Sequence, residues 1–156
     1  MRIRRSAWAT LVLCALVSGG CLSPFAAKPK HGGIAFEVSA ERRWQPTPIT
    51  LEPDDLVEIY YLSGHWNAHP RSATEAYGAE GNPAFLAAAG FALPGAPEGA
   101  LIGRVAGRVF HLGSHGLVPR GLTGRLELII NSDLRAANGF MFEENTGAVT
   151  VEIITH

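Results

Sequence analysis

Cysteine is absent from the body of the chain: Cys14 and Cys21 are the two present, and both fall in the first 21 of 156 positions. A disulfide-stapled small domain is therefore excluded. So are a cysteine-ligated zinc site, an iron–sulfur cluster and a cysteine nucleophile. Charge is also sparse, at 17% of residues with a formal net charge of −1. That balance excludes a strongly basic nucleic-acid binder. Beyond the N-terminus no apolar run approaches the roughly 18 residues that an internal membrane-spanning helix needs. Phosphate-cradling glycine motifs are missing, with no GxGxxG and no P-loop. Gly113-Ser114-His115-Gly116 departs from G-x-S-x-G, and no strand-turn-helix pattern accompanies it.

The N-terminus reads as an export signal. Met1-Arg2-Ile3-Arg4-Arg5 is a positive region, Ser6 to Val17 is uncharged and mostly apolar, and Ser18-Gly19-Gly20-Cys21 closes with small residues before a cysteine. This is the layout of a bacterial export signal. The close resembles the lipobox of bacterial lipoproteins, with Ser18 where such boxes usually have Leu. In that family the chain is cut just before the cysteine, which then bears the acyl chains, and several acyl chains exceed what stable anchoring requires. The expectation is a signal peptide over 1–20, a lipid on Cys21, and a place in the cell envelope as an outer-membrane lipoprotein. The alternative is an ordinary secretory signal with an incidental cysteine. Loss of the first 20 residues leaves 136 and removes Arg2, Arg4 and Arg5 but no acid, so 10 basic residues face 14 acidic ones, a net charge of −4. A mildly acidic exported chain argues against DNA or an anionic membrane surface as partner.

Residues 22–33 (LSPFAAKPKHGG) are rich in Pro, Gly and Lys and lack periodicity. The composition predicts that 21–33 is a flexible tether. From Ile34 to the end at 156 the pattern is alternation. Phe36, Val38 and Ala40 alternate with Glu37 and Ser39; Val57, Ile59 and Tyr61 with Glu58 and Tyr60; Leu126, Leu128 and Ile130 with Glu127 and Ile129; Val149, Val151 and Ile153 with Thr150 and Glu152. Period two with β-branched residues predicts half-buried strands, separated by turn signals such as Pro53-Asp54-Asp55 and Asn145-Thr146-Gly147. Weaker strand candidates lie at 47–51, 101–106 and 108–112. A single short helix is expected over 82–90 (NPAFLAAAG), inside a long connection from Gly64 to Ala100 of the kind that is usually functional or mobile. Within it, Phe85 to Ala89 reads as a small lid or as a contact in a homo-oligomer. The fold class is all-β: one antiparallel jelly-roll β-sandwich over 34–156.

Chemistry has few places to sit. His65 and His69 are four apart, as are His111 and His115, but neither pair has a helical context and neither has a third ligand beside it. A glycosidase-like carboxylate pair needs a defined separation, which a sequence does not give. Glu37, Glu58, Glu127 and Glu152 alternate with apolar residues and are expected on solvated faces. The densest oxygen cluster is different. Asn131-Ser132-Asp133 ends one strand and Glu143-Glu144-Asn145-Thr146 begins the next. If these strands are neighbours, both oxygen-rich ends face one edge, with the hard ligands that calcium prefers. Ordinary turn chemistry uses the same residues.

Several stretches resemble the soluble galactose-binding lectins of the LecA (PA-I) type. They run Gly99-Ala100-Leu101-Ile102-Gly103-Arg104-Val105, then Phe110-His111-Leu112-Gly113-Ser114, then Gly124 to Asn131, then Glu144-Asn145-Thr146-Gly147-Ala148-Val149. Phe36-Glu37-Val38, the Pro53-Asp54-Asp55 turn and Gly64-His65-Trp66 fit as well, so the resemblance spans 34–67 and 99–155. It implies a galactose-binding-domain-like jelly roll with one calcium at its edge, whose shell is completed by vicinal sugar hydroxyls. Carried over, Glu144 and Asn145 match the paired side-chain ligands, and Asp133 matches the ligand that ends the preceding strand. His69 falls near a position whose backbone carbonyl binds calcium. The sugar would lie against Asp133, Glu144, His69 and Trp66, although core packing is the other reading of Trp66. The departures are Asn131-Ser132-Asp133 in place of Asn-Asp, a longer 134–142 loop, Glu144 in place of Asn, and a 68–98 loop without the family's sugar-contacting segment.

The resemblance thus implies a lipid-anchored, calcium-dependent carbohydrate-binding domain without catalysis, recognising a galactoside-like glycan. The alternative is a structural or protein-interaction envelope lipoprotein with a degenerate sugar site. An enzyme is disfavoured because no nucleophile or acid–base motif is assembled.

Overall fold

The computed structural model describes residues 27–67, 76–135 and 142–156. The strands are β1 (Ile34–Ser39), β2 (Gln45–Leu51), β3 (Val57–Asn67), β4 (Asn82–Leu86), β5 (Pro97–Glu98), β6 (Leu101–Val105), β7 (Arg108–His111), β8 (His115–Leu117), β9 (Gly124–Ile130) and β10 (Thr146–Thr155). One sheet has the order β1-β10-β3-β8 and the second β2-β9-β6-β7, while β4 and β5 form a separate ribbon. Among the described residues every pairing of these strands is antiparallel. The crossings are non-sequential, with β10 between β1 and β3 and β9 between β2 and β6. Two four-stranded antiparallel sheets enclose one core, as the period-two pattern predicts. The weaker candidates at 47–51, 101–106 and 108–112 correspond to β2, β6 and β7.

Alternation determines what fills the space between the sheets. Val38, Val57, Ile59, Val149, Val151 and Ile153 line one inner face, and Leu51, Val105, Leu126 and Leu128 line the other, all with almost no exposure. Burying each such side chain stabilises the fold by about 1.5–3 kcal/mol. Where Phe110 packs, β6 carries Gly103, because a Cβ there would run into the Phe110 ring and Leu112.

Register defines two ends of the sandwich. Ile34 pairs with Ile153, Val57 with Thr155 and Leu51 with Gly124 at one end. Ser39 pairs with Ala148, Asn67 with Thr146 and Leu101 with Ile130 at the other. The second end carries the long connections and is called the loop end below.

Three expectations are corrected. Residues 82–90 are not helical: β4 occupies Asn82–Leu86 and pairs with β5. Nine residues are too few to sustain an isolated helix. The chain instead doubles back, with Ala87 N–H donating to the Ala96 carbonyl and Gly95 N–H to the Ala87 carbonyl, both at 2.9 Å. Phe85 and Leu86 do not form a lid on the sandwich, being 58% and 64% exposed.

Glu152 provides the third correction. It sits at an outward position of β10 yet is 0% exposed. Its carboxylate accepts the backbone N–H groups of Lys30 and His31 at 2.8 Å and of Gly33 at 2.9 Å, and His31 Nδ1 lies 3.1 Å away. Residues 30–33 are therefore a strap laid across the sheet. Burial alone would push the Glu152 carboxyl up, but the Lys30, Gly33 and His31 donors outweigh it and lower the pKa to about 2.

Candidate functional site

The loop end gathers the oxygen-rich segments. Asn131, Ser132 and Asp133 follow β9 directly, and Glu144 and Asn145 precede β10 directly. A 3-10 turn, Phe142–Glu144, delivers the chain to β10. Two glycines let β3 and β10 close here. Gly64 and Gly147 have φ of +95° and +87°, and a Cβ on either would collide with the facing carbonyl, of Ala148 and His65 respectively.

Each candidate residue has a definite local role. Asp133 is half-buried, forms a bridge with Phe91, and accepts the Arg135 N–H on Oδ1 at 2.8 Å. Glu144 is half-buried with its Oε2 atom inside. Asn145 is 3% exposed and donates Nδ2 to the Ala40 carbonyl at 3.2 Å, which leaves Oδ1 as the accepting end of the amide. His69 and Cys21 lie outside the described residues.

Trp66 takes the core alternative. It is 1% exposed, and its indole N–H donates to the Gly99 carbonyl at 2.7 Å. No ring face is left for a sugar, so its assignment as a sugar contact is corrected. The reason is its position as the inward residue of a strand whose backbone also pairs with Tyr77.

Two residues build this end in roles the sequence did not mark. Asn131 is fully buried and is a scaffold group: Oδ1 accepts Leu93 N–H at 2.9 Å, and Nδ2 donates to the Leu93 and Pro97 carbonyls at 3.1 and 3.0 Å. It locks the return of the β4–β5 connection onto the end of β9. Arg43, on the β1–β2 turn, donates Nη1 to the Leu134 carbonyl at 2.9 Å and lies 5.8 Å from the Phe142 ring centroid. The Arg42-Arg43-Trp44 run gave no motif to mark it.

Among the described residues, no group of three or more His, Cys, Asp or Glu side chains is arranged to hold a metal. Asp133, Glu144 and Asn145 supply two carboxylates and an amide, oxygen donors of the kind a hard cation takes. A further shell would have to come from backbone carbonyls.

A second polar cluster lies on the outer face of the other end. Tyr60 OH donates to Glu58 Oε2 at 2.5 Å, the Tyr60 and His115 rings stack at 4.2 Å, and His31 packs on Tyr60 at 4.8 Å. The Tyr60 hydroxyl and His115 lower the Glu58 pKa, and the Glu58 hydrogen bond in turn raises that of Tyr60.

The architecture defines a class: a small two-sheet β-sandwich with a loop-built end. A solved structure described as "EclA N-terminal domain; PllA-like lectin" is similar to it, with a TM-score of 0.55, 18% identity, and coverage of 78% of this chain and 95% of that one. At that identity the likeness establishes the fold. No family model matches the sequence. No curated protein matches it either.

Proposed function

We propose that this domain binds carbohydrate without catalysing a reaction, using the loop end and one calcium ion. The observation that carries the reading is the lectin-type sandwich whose β9 and β10 both bring oxygen-rich segments to one end. Asp133, Glu144 and Asn145 would hold the ion with loop carbonyls, including that of His69. The ion would orient vicinal hydroxyls of a galactoside-like glycan. Cys21 would carry the lipid that keeps the domain in the cell envelope, at the outer membrane.

Isothermal titration with calcium and then with galactosides tests this. Calcium binding that disappears in Asp133→Ala plus Asn145→Ala, followed by calcium-dependent glycan binding, is the expected result. Absence of calcium binding by the wild type sinks it.

One observation favours a second reading, a protein-interaction module with a degenerate sugar site: the described acidic side chains do not by themselves form a metal cluster. A partner retained from envelope extracts equally with and without chelator would support that reading.

A further inference from the structure

The β1–β2 turn touches both oxygen-rich segments of the loop end, one contact to each. The Ala40 carbonyl accepts the Asn145 amide, and Arg43 donates to the Leu134 carbonyl. Leu134 follows Asp133 by one residue, and Phe142, under the Arg43 guanidinium, precedes Glu144 by two. A single side chain from a facing turn thus braces the β9–β10 connection where it leaves Asp133 and where it returns to Glu144. Phe142 is 2% exposed, so the ring beneath the guanidinium is itself fixed by the core. Ala40 N–H donates to the Gly147 carbonyl at 2.9 Å, which fixes the turn in the same way.

We propose that Arg43 is the positioning residue of this site: it sets the separation between Asp133 and the Glu144-Asn145 pair and so controls cation affinity without touching the cation. The inference rests on the calcium reading above. Outer partners that orient ligands typically account for about tenfold to a hundredfold in metal affinity. A planar guanidinium can hold a carbonyl and a ring face at once, which an ammonium does less well. Simple electrostatics predicts the opposite sign, because a nearby positive charge repels a cation. The direction of the effect therefore decides between bracing and repulsion.

The test compares calcium titrations of the wild type, Arg43→Ala, Arg43→Gln and Arg43→Lys, with Arg120→Ala as a control for an exposed charge on a distant turn. Unfolding midpoints and amide exchange of Arg135, which donates to Asp133, are measured without calcium. The expected result is weaker binding by roughly tenfold or more in Arg43→Ala, partial recovery in the Gln and Lys variants, and faster Arg135 exchange in Arg43→Ala at a nearly unchanged midpoint. Equal or tighter calcium binding in Arg43→Ala overturns the proposal. So does an equal loss in Arg120→Ala. No calcium binding by the wild type overturns the calcium reading itself, and the bracing role falls with it.

Discussion

At the residue scale, Trp66 and Asp133 should separate stability from binding. Trp66→Phe removes the hydrogen bond to Gly99 and leaves that carbonyl without the indole donor. A loss of about 1–3 kcal/mol follows, read as a lower urea midpoint. Glycan affinity per folded molecule should not change, since no face of Trp66 is open. Asn131→Ala should cost at least about 1–3 kcal/mol, because Leu93 N–H and the Leu93 and Pro97 carbonyls lose their partner together. On the proposed calcium reading, Asp133→Ala should weaken calcium binding while leaving the midpoint nearly unmoved. An Asn131→Ala protein as stable as wild type would mean that the buried amide is not what holds the loop.

At the element scale, β10 and the β4–β5 ribbon make opposite predictions. Gly147→Ala forces a side chain into a left-handed conformation and against the His65 carbonyl. It should destabilise by about 1–3 kcal/mol in urea unfolding. On the ribbon, Phe85→Ser plus Leu86→Ser removes exposed apolar groups and should shift stability by no more than about 0.5 kcal/mol per site. If the ribbon is a contact between copies, the same pair should shift the sedimentation coefficient to the monomer value. The strands of the sandwich were legible because alternation records which face is buried. The ribbon was not, because β4 is exposed from Pro83 to Leu86 and so carries no alternation of buried and open positions. Its Ala-rich run favours helix on local preference, while the bonds of Ala87 with Ala96 and Gly95 across the ribbon decide otherwise. The oxygen-rich ends of β9 and β10 were legible as turns. That Asn131 is scaffold and Asp133 lies beyond it depends on the β4–β5 return, which is far away in sequence. Glu152 was misjudged for a similar reason: nothing in β10 records that residues 30–33 fold back over it.

At the scale of the whole molecule, that strap gives the domain a defined response to acid. Glu152 is ionised inside a cage of Lys30, His31 and Gly33 N–H groups, with His31 and Tyr60 facing it and Glu58 and His115 just beyond Tyr60. Its pKa is about 2 in the fold against an ordinary 4.5. A carboxyl with a depressed folded pKa contributes stability that is complete above its unfolded value and is lost as pH falls toward the folded one. The strap's contribution should therefore be constant above about pH 4.5 and fade between there and pH 2. Glu58 is lowered too, so the wild type alone does not isolate the effect. Comparison with Glu152→Gln does. At neutral pH the variant should be less stable and should exchange the Lys30, His31 and Gly33 amides faster. As the pH approaches 2 the two stability curves should converge, because protonation brings the wild type to the uncharged state that glutamine imitates. Gly33→Ala offers a second check, since its Cβ would strike the Ile153 carbonyl and the Glu152 side chain and lift the strap. It too should be less stable at neutral pH and approach the wild type in acid. A gap between wild type and Glu152→Gln that persists undiminished to pH 2 would show that the strap is held by something other than an ionised Glu152.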